Sequence, residues 1–143
     1  MDTVRKFMDK CNIDGRVLYD QSMAQHTSFH IGGPADAFVL PSTGAELARL
    51  MEAALADGIA CTVIGGGANL LVADAGLRGI VACTSLLKGI EHRQQADGSV
   101  LVRAQAGLPV TELVRYTLEH ELAGLEFAAG LPGFVGGAAY MNA

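Results

Sequence analysis

The chain has 143 residues, which is enough for one domain with a real core or for two small lobes. Half of its residues are apolar and 17% are charged, a composition that is typical of a folded protein and argues against disorder. The net charge is −5, and lysine and arginine form no cluster, so neither nucleic acid nor a membrane surface is expected as a partner.

The N-terminal sequence and the cysteines give no sign of targeting or of metal binding. The first residues, Met-Asp-Thr-Val-Arg-Lys, lack the apolar core of a signal peptide, and no apolar run reaches the ~18 residues needed to cross a membrane. A cytoplasmic location is therefore expected. Cys11, Cys61 and Cys83 lack the spacing of a metal site, so we expect neither zinc nor a disulfide.

Two short elements are predicted before residue 35. Residues 2–12 predict a helix that ends at Asp14-Gly15, and its apolar face consists of Val4, Phe7, Met8 and Cys11. Residues 26–34 alternate polar and apolar side chains ahead of a Gly-Gly-Pro turn, which indicates an edge strand. His26 and His30 have a spacing that suggests metal ligation on a helix, but the alternation favours a strand, so no metal site is expected.

Residues 35–64 predict a strand, a helix and a second strand. The first strand covers residues 35–40, and the second, residues 60–64, is β-branched, free of charge and expected to be buried. Thr43 is the expected N-cap of the helix, and Glu46 is its capping-box partner. Apolar positions repeat at helical spacing at Leu47, Leu50, Met51, Ala54 and Leu55. Such a βαβ unit makes the two strands parallel.

Three glycines in a row follow the second strand. Gly65, Gly66 and Gly67 have no Cβ, so several main-chain N–H groups can face one anion, as a pyrophosphate requires. The loop follows the carboxyl end of a parallel strand, the edge at which ligands bind in open α/β sheets, and Asn69 adds an amide. The spacing does not match the Gly-x-Gly-x-x-Gly dinucleotide motif, and a merely flexible turn is the alternative.

The pattern changes from parallel to antiparallel near residue 84, which is the expected boundary between two lobes. Before it lie a strand at residues 79–83 and Arg78, which we expect to be a solvated turn residue rather than an anion ligand. After it, residues 89–93 and 100–104 predict a hairpin. Residues 110–121 predict a helix capped by Thr111, with four side chains facing inward, namely Leu113, Val114, Thr117 and Leu118.

Glycine is dense between residues 124 and 143. Each glycine inside a regular element costs about 0.5–1 kcal/mol relative to alanine, so this density indicates that another molecule approaches the backbone closely. Pro132 is expected in the first turn of a helix whose free N–H groups face an anion or a flavin edge. Glu126 is expected to orient the glycine-rich turn rather than to act as an acid.

Four stretches of the chain resemble the amino-terminal flavin-binding region of the UDP-N-acetylenolpyruvoylglucosamine reductase family. They are Thr-Ser-Phe-His-Ile-Gly-Gly-Pro-Ala at residues 27–35, Val-Ile-Gly-Gly-Gly-Ala-Asn-Leu-Leu-Val at 63–72, Gly-Leu-Glu-Phe at 124–127, and Leu-Pro-Gly-Phe-Val-Gly-Gly-Ala-Ala-Tyr-Met-Asn-Ala at 131–143. The stretches occur in the family's order and at about its spacing, across nearly the whole chain after residue 25.

The resemblance implies an α+β fold, the two-lobed FAD-binding fold of the vanillyl-alcohol-oxidase-like flavoproteins. Residues 1–84 would form the first lobe, a parallel βαβ unit with the glycine loop. Residues 85–143 would begin a second lobe with mixed or antiparallel strands, and the substrate domain would be absent.

The resemblance also implies FAD as the cofactor, with its pyrophosphate on the backbone of residues 65–69 and its flavin along residues 132–142. Ala68 stands where the family commonly has serine, but FAD binding should survive because the loop binds through its backbone. The implied cofactor-binding residues are Ile64, Gly65, Gly66, Gly67, Ala68, Asn69, Leu70, Gly107, Gly130, Pro132, Gly133, Gly136, Gly137, Ala138, Met141 and Asn142.

In the implied reaction, NADPH reduces FAD and a hydride then passes to the enolpyruvyl double bond of UDP-N-acetylglucosamine enolpyruvate, which gives UDP-N-acetylmuramate for peptidoglycan. The family's proton-donating serine, assisting glutamate and substrate arginine lie downstream of the matched stretches. No catalytic residue is therefore assigned on this sequence, and we expect the isolated chain not to turn over the substrate.

Two other interpretations stay open. One is another FAD oxidoreductase of the same fold, such as an oxidase of small alcohols or sugars. Many of these attach the flavin through a histidine near the glycine loop, and no histidine lies between His30 and His92. The other is a non-catalytic nucleotide-binding module. A flavin absorption band in the purified protein would favour either enzyme over the module.

Overall fold

A computed structural model describes residues 2–143 of the chain. The helices and strands follow one another as α1 (Asp2–Lys10), β1 (Arg16–Ser22), β2 (Pro34–Leu40), α2 (Gly44–Ala56), β3 (Cys61–Ile64), β4 (Leu77–Cys83), β5 (Ile90–Gln94), β6 (Val100–Ala104), α3 (Val110–Glu119) and α4 (Val135–Met141). Short 3-10 turns cover Met23–His26, Thr84–Leu86 and Glu126–Ala128. No helix within residues 2–143 is long and apolar enough to cross a bilayer.

The strands form a four-stranded sheet in the order β1-β2-β4-β3 and a two-stranded sheet of β5 and β6. β1 is antiparallel to β2, whereas β4 is parallel to both β2 and β3. The two strands of the βαβ unit therefore run in the same direction, as predicted, but β4 lies between them. The β5–β6 hairpin is antiparallel, which confirms the hairpin predicted for residues 89–93 and 100–104.

The two central strands, β2 and β4, are buried on both faces of the large sheet. Alternate residues point to opposite sides of a strand, so each strand supplies two clusters of the core. One cluster packs α1 and α2 on the sheet and contains Val4, Phe7, Met8, Ala37, Val39, Leu50, Ala54, Ile80 and Ala82. The other contains Met23, Ala35, Phe38, Ile64, Val72, Val81 and Cys83. This double burial explains the nearly continuous apolar sequence of both strands.

The prediction of an edge strand at residues 26–34 is wrong. A 3-10 turn at Met23–His26 leads into an irregular segment, and His30 has a φ of 54°. The hydroxyl of Thr27 donates to the carbonyl of Ile31 at 2.9 Å, which closes this segment on itself. The edge strand that precedes β2 in the chain is instead β1, which was not predicted from the sequence.

Four further expectations differ from the structure. β3 was expected to be buried, but it lies at the sheet edge and leaves Val63 42% exposed. Leu118 of α3 faces outward and is 70% exposed, while Thr117 is buried. Pro109, not Thr111, precedes the first turn of α3. α4 begins at Val135 rather than near Pro132 because Phe134 is still extended, with a ψ of 153°.

The predicted cap of α2 is present, with an unexpected second role for Glu46. The main-chain N–H of Glu46 donates to the Thr43 hydroxyl at 3.1 Å. Its buried carboxylate does not return to Thr43 but accepts from the N–H of Gly15 at 2.9 Å and from the N–H and hydroxyl of Ser42 at 2.6 and 2.8 Å. Glu46 therefore ties α2 to the segment between α1 and β1.

The glycine loop is held against the irregular segment by contacts between two backbones. The N–H of Ser28 donates to the carbonyl of Gly67 at 3.1 Å. Gly67 has a φ of +68°, and a Cβ at this position would collide with the carbonyl oxygen of His26. The loop can lie this close to residues 26–28 only because residue 67 has no side chain.

Glu46→Gln should lower the free energy of unfolding by about 1–3 kcal/mol at neutral pH, because an amide cannot accept all of the three hydrogen bonds that the carboxylate accepts. Burial alone would raise the pKa of Glu46, but the donors at Gly15 and Ser42 hold this pKa below its ordinary value. The stabilisation is therefore complete above the unfolded-state value of about 4.3 and is lost as the pH falls through the lower folded-state value.

Urea unfolding of the wild type and the variant between pH 7 and pH 3 checks this prediction. The difference in free energy of unfolding between the two proteins should become smaller at the acid end of that range. Glu52→Gln, at an exposed position of the same helix, is the matched control and should change the stability little at any pH. An unchanged gap at pH 3 would contradict the assigned role.

Gly67→Ala should destabilise the fold more than Gly98→Ala does. Both glycines have positive φ, but a Cβ at Gly98 meets nothing within 4 Å. The backbone conformation alone costs an alanine about 1–2 kcal/mol, and the collision with His26 should add about 1–3 kcal/mol at residue 67. Denaturant unfolding measures the difference, and equal losses would mean that the loop is not fixed by this contact.

Candidate functional site

A cleft of about 450 Å³ opens at the carboxyl end of β3. One wall is the irregular segment after the first 3-10 turn, another is the glycine loop, and Phe134 closes a third side. The residues that line the cleft are Gln25, His26, Thr27, Ser28, His30, Gly65, Gly66, Cys83, Ser85 and Phe134.

The two glycine-rich segments of the sequence meet in this cleft. A Cβ on Gly65 or Gly66 would lie 3.6 or 3.3 Å from the side chain of Phe134. A Cβ on Gly133 would lie 3.5 Å from the Cβ of Ala68. The expectation that these distant stretches share one cleft is thus met at Gly65, Gly66 and Phe134, where main chain and an aromatic ring form the wall.

The ends of β3 and β4 are joined beneath the loop. The Thr84 hydroxyl donates to the carbonyl of Ile64 at 3.3 Å, and the Cys83 thiol donates to the carbonyl of Gly65 at 3.5 Å. Gly107 packs directly behind, because a Cβ there would collide with the carbonyl of Thr84. This packing connects the large sheet to the residues that precede α3.

Two N–H groups at the start of α4, those of Val135 and Gly136, are not free as expected from the sequence but are paired within the chain. The N–H of Val135 donates to the carbonyl of Leu108 at 2.8 Å, and that of Gly136 donates to the carbonyl of Ala106 at 2.9 Å. A Cβ on Gly136 would lie 2.7 Å from the Cβ of Ala106. Gly136 therefore allows one part of the chain to pack on another, which is a structural role.

The remaining residues expected to bind the cofactor are not brought to the cleft wall. Ile64 is buried in the core beside Leu70, while Asn69, Gly130, Pro132, Gly137 and Met141 are exposed. Ala138 donates its N–H to the carbonyl of Phe134. Asn142 ends α4 in the left-handed conformation, with a φ of 53°. Their binding role stays a prediction, whereas Glu126 orients its turn as expected by accepting from the N–H of Gly124 at 2.9 Å.

Residues 25–30 are the part of the site that the sequence analysis missed. The matched stretch at residues 27–35 drew attention to this region, but no binding role was assigned to it. His26 is the most informative of these residues. Its ring stacks on Phe38 with 4.0 Å between centroids, and its Nε2 is buried without a hydrogen-bond partner. Burial lowers the pKa of His26, so the ring is neutral near pH 7.

The chemistry of the cleft suits an anionic ligand held by neutral donors. None of the ten lining residues is Asp, Glu, Lys or Arg. Ser28 and Ser85 contribute hydroxyl groups, and Gly65 and Gly66 leave their main chain uncovered by side chains of their own. A phosphate group placed here would meet hydroxyl, imidazole and N–H donors without a repelling carboxylate, so these residues fit the diphosphate of FAD. No group of three His, Cys, Asp or Glu within residues 2–143 is placed to bind a metal.

Arg78 is part of the sheet rather than of the cleft. Its guanidinium pairs with the buried carboxylate of Asp36 at 2.7 Å and donates to the carbonyls of Pro34 and Ala75 at 2.9 and 3.2 Å. The expectation of a merely solvated turn residue is therefore wrong, and Arg78 has no role as an anion ligand in this arrangement.

Comparison with known proteins identifies the family to which the chain belongs. The family described as FAD binding domain matches residues 35–143. A UDP-N-acetylenolpyruvoylglucosamine reductase of Syntrophus aciditrophicus is 38% identical over 140 residues, which cover 98% of this chain and 45% of that protein. This chain spans less than half of the length of that curated relative.

Solved structures agree with this assignment. The crystal structure of the reductase MurB from Thermus caldophilus superposes with a TM-score of 0.64 at 30% identity, covering 92% of this chain and 43% of that one. A cholesterol oxidase of Brevibacterium sterolicum has a TM-score of 0.57 at 20% identity, over 75% of this chain and 20% of that one, and shares the fold. The α+β flavoprotein fold predicted from the sequence is confirmed. The chain belongs to the FAD binding domain family, and its cofactor is FAD.

Proposed function

We propose that this chain is the FAD-binding part of a UDP-N-acetylenolpyruvoylglucosamine reductase. The observation that carries this proposal is the cleft between Gly65, Gly66 and Phe134, which joins two of the stretches that resemble that family. The reductase of Syntrophus aciditrophicus, 38% identical over 98% of this chain, favours this function over that of another flavoprotein with the same fold.

Within the cleft, the diphosphate of FAD binds next to the side-chain-free backbone of Gly65 and Gly66. The hydroxyls of Ser28 and Ser85 are within the same lining and supply further donors. Residues 132–142 would hold the flavin, as the resemblance implies. We place the boundary between the lobes near residue 84, where the four-stranded sheet ends and the separate β5–β6 hairpin follows.

In the whole protein we propose the reduction of UDP-N-acetylglucosamine enolpyruvate by NADPH in the cytoplasm, as a step of peptidoglycan precursor synthesis. Bound FAD supplies hydride transfer. The residues of this chain bind and orient the cofactor and shield it from water, and they include no proton donor for the substrate. The groups that contact the substrate belong to the part of the relatives that this chain does not cover.

The purified chain should bind FAD, and Gly66→Ala should weaken this binding about tenfold or more. A Cβ at residue 66 would lie 3.3 Å from the Phe134 ring and would take up space in the cleft where the diphosphate binds. A tenfold loss of FAD affinity corresponds to about 1.4 kcal/mol of binding free energy. Quenching of FAD fluorescence on titration with protein measures the dissociation constant.

Gly44→Ala is the matched control for this test, because residue 44 is exposed and a Cβ there meets nothing within 4 Å. It should leave the FAD affinity unchanged. Equal affinity of the wild type and Gly66→Ala would show that the diphosphate does not lie on this loop, and an absence of FAD binding by the wild type would refute the proposed function itself.

The chain loaded with FAD should not consume NADPH when UDP-N-acetylglucosamine enolpyruvate is added. The reason is that the serine, glutamate and arginine that the family uses on this substrate are expected in the part of the relatives that this chain does not cover. The near-ultraviolet absorbance of NADPH follows the reaction. The positive control is a longer protein that also includes the part of the relatives that this chain does not cover. Steady turnover by the chain alone would contradict the proposal that the groups that contact the substrate lie outside this chain.

A further inference from the structure

His26 has a polar atom that nothing in the structure satisfies. Nε2 is buried and is the buried side-chain nitrogen or oxygen of residues 2–143 that lacks a hydrogen-bond partner. The imidazole also belongs to the lining of the cleft, beside Gly65, Gly66 and Phe134. An unpaired polar atom in this position is unfavourable in the ligand-free protein, because the atom has lost its hydrogen bonds to water.

The packing of the His26 ring does not explain why a nitrogen is present at the Nε2 position. The ring stacks on Phe38 with an interplanar angle of 23°, and Phe38 itself is fully buried. A phenyl ring would fill the same place on Phe38 without an unpaired polar atom. The carbonyl of His26, not its side chain, makes the close approach to Gly67. The fold therefore uses the ring shape and the backbone of this residue, but not Nε2.

We propose that His26 is a further FAD-binding residue, which donates a hydrogen bond from Nε2–H to a diphosphate oxygen of FAD bound on the glycine loop. This inference rests on the proposed site. A neutral imidazole has one N–H donor, and a phosphate oxygen is an acceptor, so the pairing is chemically matched. Because Nε2 is covered by its neighbours in the structure, this hydrogen bond requires the side chains beside it to shift when FAD binds.

The neighbourhood of the ring favours this partner over others. Gln25, Thr27, Ser28 and Ser85 have neutral side chains, and none of the residues that line the cleft is Asp, Glu, Lys or Arg, while His30 adds a second imidazole. Thr27 already donates its hydroxyl to the carbonyl of Ile31. Within residues 2–143 no atom accepts a hydrogen bond from Nε2, so we assign its acceptor to the ligand, and the diphosphate is the group of FAD with the largest negative charge.

His26→Phe separates the binding role from a structural one. This variant should bind FAD about 10- to 100-fold more weakly, the range expected for the loss of one hydrogen bond to a charged group. The FAD-free variant should unfold at the same temperature as the wild type or at a higher one, because the unpaired nitrogen is gone and the stacking on Phe38 is kept. Fluorescence titration and thermal unfolding of the 143-residue chain measure the two effects.

His26→Gln and His120→Phe complete the test. The Gln amide can place an N–H near the position of Nε2 and should recover part of the FAD affinity. His120 lies at the exposed end of α3, stacked on Tyr116 and outside the cleft, so His120→Phe should bind FAD as the wild type does. In a ¹⁵N-histidine spectrum, the Nε2 signal that His26→Phe removes should shift when FAD is added.

Each other outcome would overturn the inference. Wild-type FAD affinity in His26→Phe would show that Nε2 makes no contact with the cofactor. Weak binding together with a lower unfolding temperature, and no recovery in His26→Gln, would show that the ring acts on the fold alone. If the wild-type chain does not bind FAD, the proposed function fails and takes this inference with it, whereas wild-type binding with an unaffected variant overturns this inference alone.

Discussion

The site depends on the contact between the backbone at residue 67 and the carbonyl of His26. This contact sets the distance between the glycine loop and the segment that forms the facing wall of the cleft. Two similar contacts lie nearby, where Gly107 packs on Thr84 and Gly136 packs on Ala106. In all three places one main chain lies directly on another. The shape of the cleft is thus set by rigid peptide groups more than by side chains that can change rotamer.

The absence of charge in the cleft is the second constraint on its chemistry. The chain carries a net charge of −5, yet none of the residues that line the cleft is Asp, Glu, Lys or Arg. An anionic cofactor is therefore held by short-range hydrogen bonds, and the field of the protein does little to attract it from a distance. Binding of this kind requires accurate placement of each donor, which the packed backbone provides.

The parts of the fold that could be predicted are those with local sequence signals. The Thr43 cap, the apolar face of α1 and the β5–β6 hairpin each depend on residues close together in sequence. β1 was missed because its side chains are half-buried on both faces and its pairing with β2 is what stabilises it. The position of β4 between β2 and β3 is likewise a property of the whole sheet and has no signature in any one stretch.

The same limit applies to the site. The glycines at residues 65–67 were found because their backbone freedom is visible in the sequence. His26 was not, because its meaning comes from a stacking contact with Phe38, twelve residues away and in the core. Gly136 misled for a related reason, since the close neighbour that requires a glycine there is Ala106 of the same chain.

β3 ends the large sheet, and this position has a consequence for how the chain behaves in concentrated solution. The outer row of peptide groups on this strand has no strand partner within residues 2–143, and the apolar Val63 is exposed beside it. Such a border can accept a further strand from any molecule that presents one. β3 is therefore one of the two edges at which a second copy of the chain could pair with this sheet in concentrated solution.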